Sequence, residues 1–168
     1  MADCGSLLVC RHTSSNVKYL LSQREDGKGF ELTGGTKESG EDSLSTALRE
    51  TLEEVSLSIS PKTCSKIFSA RQFNGYDFSV FATVLESNPK LKPQKSEVKS
   101  CGFYTLEEII KMRSIMLSGD EDNGILYPAL KAILYYNGGI VNSDVLSDSI
   151  EFAGDIYSPY GTHPIEAQ

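Results

Sequence analysis

Apolar positions along this chain keep two rhythms. Ser6 to Cys10 is a continuous apolar run suited to a strand buried on both faces, ended by Arg11 and the polar stretch His12 to Asn16. Val17 to Gln23 alternates, with Tyr19 and Leu21 set against Lys18 and Ser22, which predicts a partner strand. A turn at Arg24-Glu25-Asp26-Gly27 and an extended Phe30-Glu31-Leu32 lead into Thr33-Gly34-Gly35, where glycines allow close backbone approach. From Leu44 to Val55 the period becomes helical, with Asp42 or Ser43 as N-cap. Cys64 to Phe73 and Tyr76 to Leu85 read as strands joined at Asn74-Gly75, a strong hairpin signal. Val98 to Tyr104 is a further strand. Thr105 then opens a short helix to about Met112, with Glu108 completing a capping box. Ser118 to Asn123 is an acidic loop, and Ile125 to Tyr136 is helical until Gly138-Gly139 stops it. Beyond Gly139, Ser143 to Phe152 could form a short docked helix, and the last residues are expected to lie loose.

The helix after Gly35 carries the chemistry. At about 100° per residue, Glu53 and Glu54 fall within roughly 60° of Glu50, so three carboxylates share one side. Leu44, Ala47, Leu48, Thr51 and Val55 are assigned to the buried side, with Leu52 at its edge. Like charges at one-turn spacing cost an isolated helix a few tenths of a kcal/mol per pair. Arg49 offsets part of that, and a hard divalent cation with a preference for oxygen ligands would offset more. A solvated acidic helix face is the alternative.

The spacing around those carboxylates favours the cation. Gly35, Glu41, Arg49-Glu50, Glu53-Glu54 and Leu57 stand at the fixed intervals of the Nudix box, which the stretch Gly35 to Leu57 strongly resembles. Thr51 stands where an aliphatic residue is expected, Ser56 replaces the penultimate glycine, and Thr33 replaces a proline often found ahead of the glycines. None of the three removes a charged group. The resemblance covers roughly residues 5–137 and implies an α/β fold, a Nudix-type α/β/α sandwich with a mixed β-sheet. It implies a hydrolase that cleaves phosphoanhydrides with Mg²⁺ (or Mn²⁺). Glu50 and Glu54 would ligate the metal, Glu53 would be a ligand or the base, and the carbonyl of Gly34 or Gly35 would add a ligand. Glu41 would brace the loop or join the metal shell. Arg49 would orient the cluster or contact phosphate, and both roles stay open. A further carboxylate often enters from a loop ahead of an aromatic strand residue; Glu97, six residues before Phe103, fits that position, a solvated strand edge being the alternative.

Composition narrows the setting. With 168 residues the chain makes one domain, set at 1–138, with an acidic tail at 139–168. No apolar run approaches a membrane span, and Met1 to Gly5 lacks a signal-peptide layout. Cys4, Cys10, Cys64 and Cys101 show no paired metal spacing, which suits thiols in a reducing, cytoplasmic setting. His12 and His163 are the only histidines, against a histidine-centred mechanism. The net charge of −7 argues against general nucleic-acid binding. The tail holds five of the 23 acidic residues and no Lys or Arg, so the body is near neutral and could accept a polyanion locally.

Substrate features are sparser. EDSLSTALRETLEE and the opening CGSLLVCR resemble animal-type diadenosine tetraphosphate hydrolases. Tyr76 lies near where that subgroup has a base-stacking tyrosine; cross-strand packing is its alternative role, and Phe73 and Tyr104 are other candidate stackers. Lys90, Lys92, Lys95 and Lys99 could attract a polyphosphate or serve only solubility. The expected partner is a small-molecule nucleotide, with the protein a monomer or homodimer and no membrane contact. A dinucleoside polyphosphate leads, ahead of a modified nucleoside triphosphate or capped RNA. From another class, a non-catalytic nucleotide-binding module of the same fold remains, favoured by Thr33, Thr51 and Ser56.

Overall fold

A computed structural model describes residues 3–25, 29–71, 77–115, 123–139 and 163–167. Its organising strand is β1 (Cys4–His12), longer at both ends than the apolar run that predicts it. β1 pairs in parallel with β6 (Asp77–Leu85) from Cys4 to Arg11. Its other edge is shared. Cys4 to Leu7 pair with β4 (Thr33–Thr36), whereas Cys10 to His12 pair with β2 (Val17–Arg24). β2 pairs in turn with β7 (Val98–Thr105) and, at Ser22 and Gln23, with β3 (Phe30–Glu31). The chain from Phe30 to Thr36 therefore leaves β2 and joins β1, bridging the fork between them. The functional glycines sit on that bridge.

β5 (Ser65–Arg71) lies antiparallel to β6, and β10 (His163–Ala167) lies antiparallel to β5. This last strand differs from the expected loose end; backbone pairing along a sheet edge draws in the terminus. β8 (Ser114–Ile115) and β9 (Ile125–Leu126) extend the other side through β3. Parallel and antiparallel pairs thus mix in one sheet.

Helices cover both faces, which explains why the centre of β1 is wholly apolar. Leu7 and Val9 pack with Ala47, Val55 and Leu57 around α1 (Ser43–Val55). Leu8 and Cys10 face the other way, in a cluster with Ile109 of α2 (Leu106–Ile110) and Ala129, Ala132 and Ile133 of α3 (Tyr127–Tyr136). The result is an α/β/α sandwich with a mixed sheet. Each fully buried leucine contributes about 2 kcal/mol of apolar burial.

Local chemistry sets the helix ends. Asp42 caps α1 by accepting from Ser45 N–H, and Thr105 with Glu108 forms the expected capping box on α2. α3 starts two residues later than its periodicity predicts, because Ile125 and Leu126 pair with β3 and β8 as β9. α2 ends at Ile110 rather than Met112. Leu52 is 51% exposed, so the edge of the apolar wheel faces solvent. All four cysteines are free thiols. Among the described residues no helix is long and apolar enough to cross a membrane. The Asn74-Gly75 turn, the loop at 118–122 and the stretch Ser143 to Phe152 lie outside the described residues.

Candidate active site

Gly34 and Gly35 make room where β4 crosses α1. A Cβ on Gly35 would stand 2.6 Å from the Glu50 carboxyl carbon, and one on Gly34 would stand 2.5 Å from the Gly5 carbonyl oxygen. The missing side chain at Gly35 lets β4 approach α1, and the one at Gly34 lets it approach β1. The approach lets Gly34 N–H donate to Glu54 Oε1 at 2.9 Å.

A second segment is drawn in by the far end of α1. The last carbonyls of a helix lack partners within it. Here Lys92 N–H donates to Val55 O and Gln94 N–H donates to Glu54 O, at 2.9 and 2.8 Å. The loop then turns through Glu97 N–H donating to Gln94 O, and the Glu97 carbonyl accepts from Glu25 N–H at 3.0 Å. Glu97 is thereby carried to the helix. Carboxylate oxygens of Glu50, Glu54 and Glu97 lie within 4.8 Å of one another. Three hard oxygen donors from a helix and a loop fit a divalent cation of the Mg²⁺ or Mn²⁺ kind.

The electrostatics of the cluster follow from burial. Glu54 is 8% exposed. Burial pushes its pKa up to about 8, assisted by the charges of Glu31, Glu50 and Glu97 and opposed by the Gly34 N–H. Glu50 is also raised, first by burial, while its bond from Arg49 pulls the other way. Positive charge placed among these groups would favour their ionised forms.

Arg49 spends its guanidinium inside the protein. Nε donates to Glu41 Oε2 at 2.7 Å, one terminal nitrogen reaches Glu50 and Glu53 at 3.0 and 3.1 Å, and the other reaches Thr36 O and Glu41 Oε1 at 3.2 and 3.1 Å. All five N–H groups have acceptors, so this conformation leaves none for phosphate. Glu41 also accepts from Glu38 N–H and Thr46 Oγ1, and its bond from Arg49 holds its pKa down to about 2. Glu41 braces Arg49, and Arg49 braces Glu50.

Glu53 stands apart from the cluster. Its side chain is 52% exposed and pairs with Arg49. Lys90, Lys92, Lys95 and Lys99 are exposed, and Lys95 Nζ donates to the Lys99 carbonyl at 3.1 Å. Tyr104 packs edge-on against Phe30, with ring centroids 5.6 Å apart. Phe73 and Tyr76 lie outside the described residues. Sequence reasoning passed over Glu31, which raises Glu54 and lines a cleft with Ser6, Leu32, Phe78, Leu126, Pro128 and Ala129. Only its place three residues before Gly34 could have marked it.

The three departures from the box are accommodated. Thr33 and Thr51 meet, with their hydroxyl oxygens 2.7 Å apart. Ser56 adopts the left-handed conformation at φ 61°, where glycine is usual, and donates to Lys92 O at 3.0 Å.

Comparison with known proteins agrees with this architecture. The Nudix domain model matches residues 6–123. No curated protein matches the chain. An Ap4A hydrolase of C. elegans, in a binary complex, superposes with a TM-score of 0.55 at 18% identity, over 65% of this chain and 84% of that one. The Nudix domain of Shewanella oneidensis NrtR, complexed with ADP ribose, gives 0.60 at 15% identity, over 79% and 84%. The C-terminal domain of mouse MUTYH, complexed with human PCNA, gives 0.55 at 14% identity, over 80% and 86%. At these identities the superpositions bear on the fold. The match to the domain model over most of its length settles the family: the chain belongs to the Nudix family of phosphoanhydride hydrolases.

Proposed function

We propose that this protein cleaves a phosphoanhydride bond in a substrate with nucleoside-linked phosphates, using Mg²⁺ or Mn²⁺ held by Glu50, Glu54 and Glu97. The observation that carries this reading is the convergence of those three carboxylates within 4.8 Å. A bound divalent cation supplies charge neutralisation on the phosphoryl oxygens and makes water a better nucleophile at neutral pH.

The chain's own residues do the rest. Gly34 N–H fixes Glu54, Arg49 fixes Glu50, and the hydrogen-bonded loop from Lys92 to Val98 fixes Glu97. Pre-set ligands spare the entropy of gathering them when substrate arrives. With Glu50, Glu54 and Glu97 committed to the cation, Glu53, turned to Arg49 and solvent, is the candidate for the base.

A dinucleoside polyphosphate is the leading substrate. Support comes from the likeness of EDSLSTALRETLEE and CGSLLVCR to animal-type diadenosine tetraphosphate hydrolases, and the C. elegans Ap4A hydrolase is among the structural neighbours. Modified nucleoside triphosphates and capped RNA are the competing substrates. Phosphate and nucleotide release should be measured over a panel of dinucleoside polyphosphates, nucleoside triphosphates, ADP-ribose and capped RNA, with Mg²⁺ and with excess chelator. Hydrolysis that is metal-dependent and fastest on a dinucleoside polyphosphate is expected. Saturable binding without turnover on any member would instead identify a nucleotide-binding module.

A further inference from the structure

Thr51 stands at an aliphatic position of the box and Thr33 where a proline often precedes the glycines, and both are fully buried. Thr51 Oγ1 donates to Ala47 O at 2.7 Å, which uses its one proton. The Thr33 hydroxyl, 2.7 Å away, is then the donor to Thr51 Oγ1. β4 and α1 are consequently joined by successive polar rungs. Thr33 bonds Thr51, the next residue Gly34 bonds Glu54 one helical turn on, and Thr36 accepts from Arg49.

We infer that the Thr33–Thr51 hydroxyl couple is a positioning pair that sets β4 against α1 at the separation where Gly34 N–H reaches Glu54. An aliphatic contact at this crossing would resist compression but would not fix direction. A buried hydroxyl bond has a narrow range of length and angle, and leaving one buried partner unmade is costly. The couple transmits that constraint to Glu54 through a single peptide unit on β4 and a single turn of α1. Neither threonine belongs to the three-carboxylate cluster, so they act through Glu54. The inference rests on the proposal that Glu54 holds the divalent cation.

The test measures Mn²⁺ affinity by titration calorimetry, kcat and KM, and melting temperature for the wild type, Thr51→Val, Thr33→Val, the double valine variant and Thr51→Ser. Thr51→Val leaves the Thr33 hydroxyl only its long 3.5 Å bond to Leu7 O, away from α1, and should weaken Mn²⁺ binding by about tenfold to a hundredfold, the usual effect of removing a group that orients a ligand. kcat should fall with little change in KM. Thr51→Ser keeps the hydroxyl and should bind Mn²⁺ as the wild type does. The double valine variant removes both polar partners, so its loss should be smaller than the product of the single losses. Wild-type Mn²⁺ affinity in folded valine variants, even with lowered melting temperatures, would overturn the inference while leaving the metal site standing. If Thr51→Val does not fold, a tenfold weakening in Thr51→Ser would overturn it equally. A folded wild type that binds no Mn²⁺ would defeat the metal site itself, and the inference with it.

Discussion

Replacing Glu54 with glutamine should make the metal-free protein more stable and the enzyme nearly inert. Glu54 is 8% exposed, and burial lifts its pKa from 4.5 to about 8. An acid whose folded pKa is raised binds more protons folded than unfolded between those two values, so stability falls as pH rises through that window. At pH 7 the ionisation penalty comes to about 3 kcal/mol, as an order of magnitude. Glutamine removes the charge yet keeps a carbonyl oxygen to accept from Gly34 N–H. In chelator at pH 7.5, Glu54→Gln should therefore melt roughly 6–12 °C above the wild type, at about 2–4 °C per kcal/mol for a chain of this size. Near pH 4.5 the folded wild-type carboxyl is protonated and the unfolded one is half protonated, so the gap should shrink to about a degree. Mg²⁺ should narrow the gap at pH 7.5 by stabilising the wild type more than the variant. Hydrolysis should meanwhile drop by about two to three orders of magnitude. Thermal scans at several pH values, with and without Mg²⁺, provide the comparison. A variant no more stable than the wild type at pH 7.5, or a gap independent of pH, would refute the assignment of Glu54 as a strained ligand.

Three further expectations can be checked on the same material. Ser56 sits at φ 61°, so Ser56→Gly should relieve about 1 kcal/mol of backbone strain, less the lost exposed bond to Lys92 O. A small rise in melting temperature with unchanged kcat is expected, and a fall would show that the hydroxyl bond outweighs the strain. Glu41 has its pKa held down to about 2, so its stabilising effect is complete above about pH 4.5 and is lost as pH falls towards 2. The melting-temperature gap between the wild type and Glu41→Gln should close over that acid range, and a constant gap would contradict the pairing with Arg49. Arg49→Lys keeps the charge but cannot span Glu41, Glu50, Glu53 and Thr36 together, so kcat should fall at least tenfold. Undiminished turnover would make the guanidinium geometry irrelevant to catalysis.

What the sequence discloses here is what local chemistry decides. The Asp42 cap, the Thr105 and Glu108 box and the glycine bridge follow from short-range bonding and appear where the pattern places them. Non-local pairing is harder to see. Ile125 and Leu126 look helical beside Ala129 and Ala132, yet β3 and β8 claim them as a strand. The glutamates teach the same lesson within one helix. Glu53 and Glu54 both lie near Glu50 on a wheel, but Glu54 falls about 60° from buried Thr51 and Glu53 about 160° away. That difference turns Glu54 towards β4 and Glu53 towards solvent, where Arg49 holds it. Treating the three as one face hides the split. Thr33 and Thr51 are each visible as departures from a pattern; only the crossing of β4 over α1 shows that they answer one another.

The most direct test of the central claim is anomalous diffraction from crystals of the protein soaked in Mn²⁺. The account expects a peak bounded by Glu50, Glu54 and Glu97, lost in crystals of Glu54→Gln. No peak within ligand distance of those carboxylates at saturating Mn²⁺, in crystals of protein that hydrolyses its substrate with that ion, would contradict it.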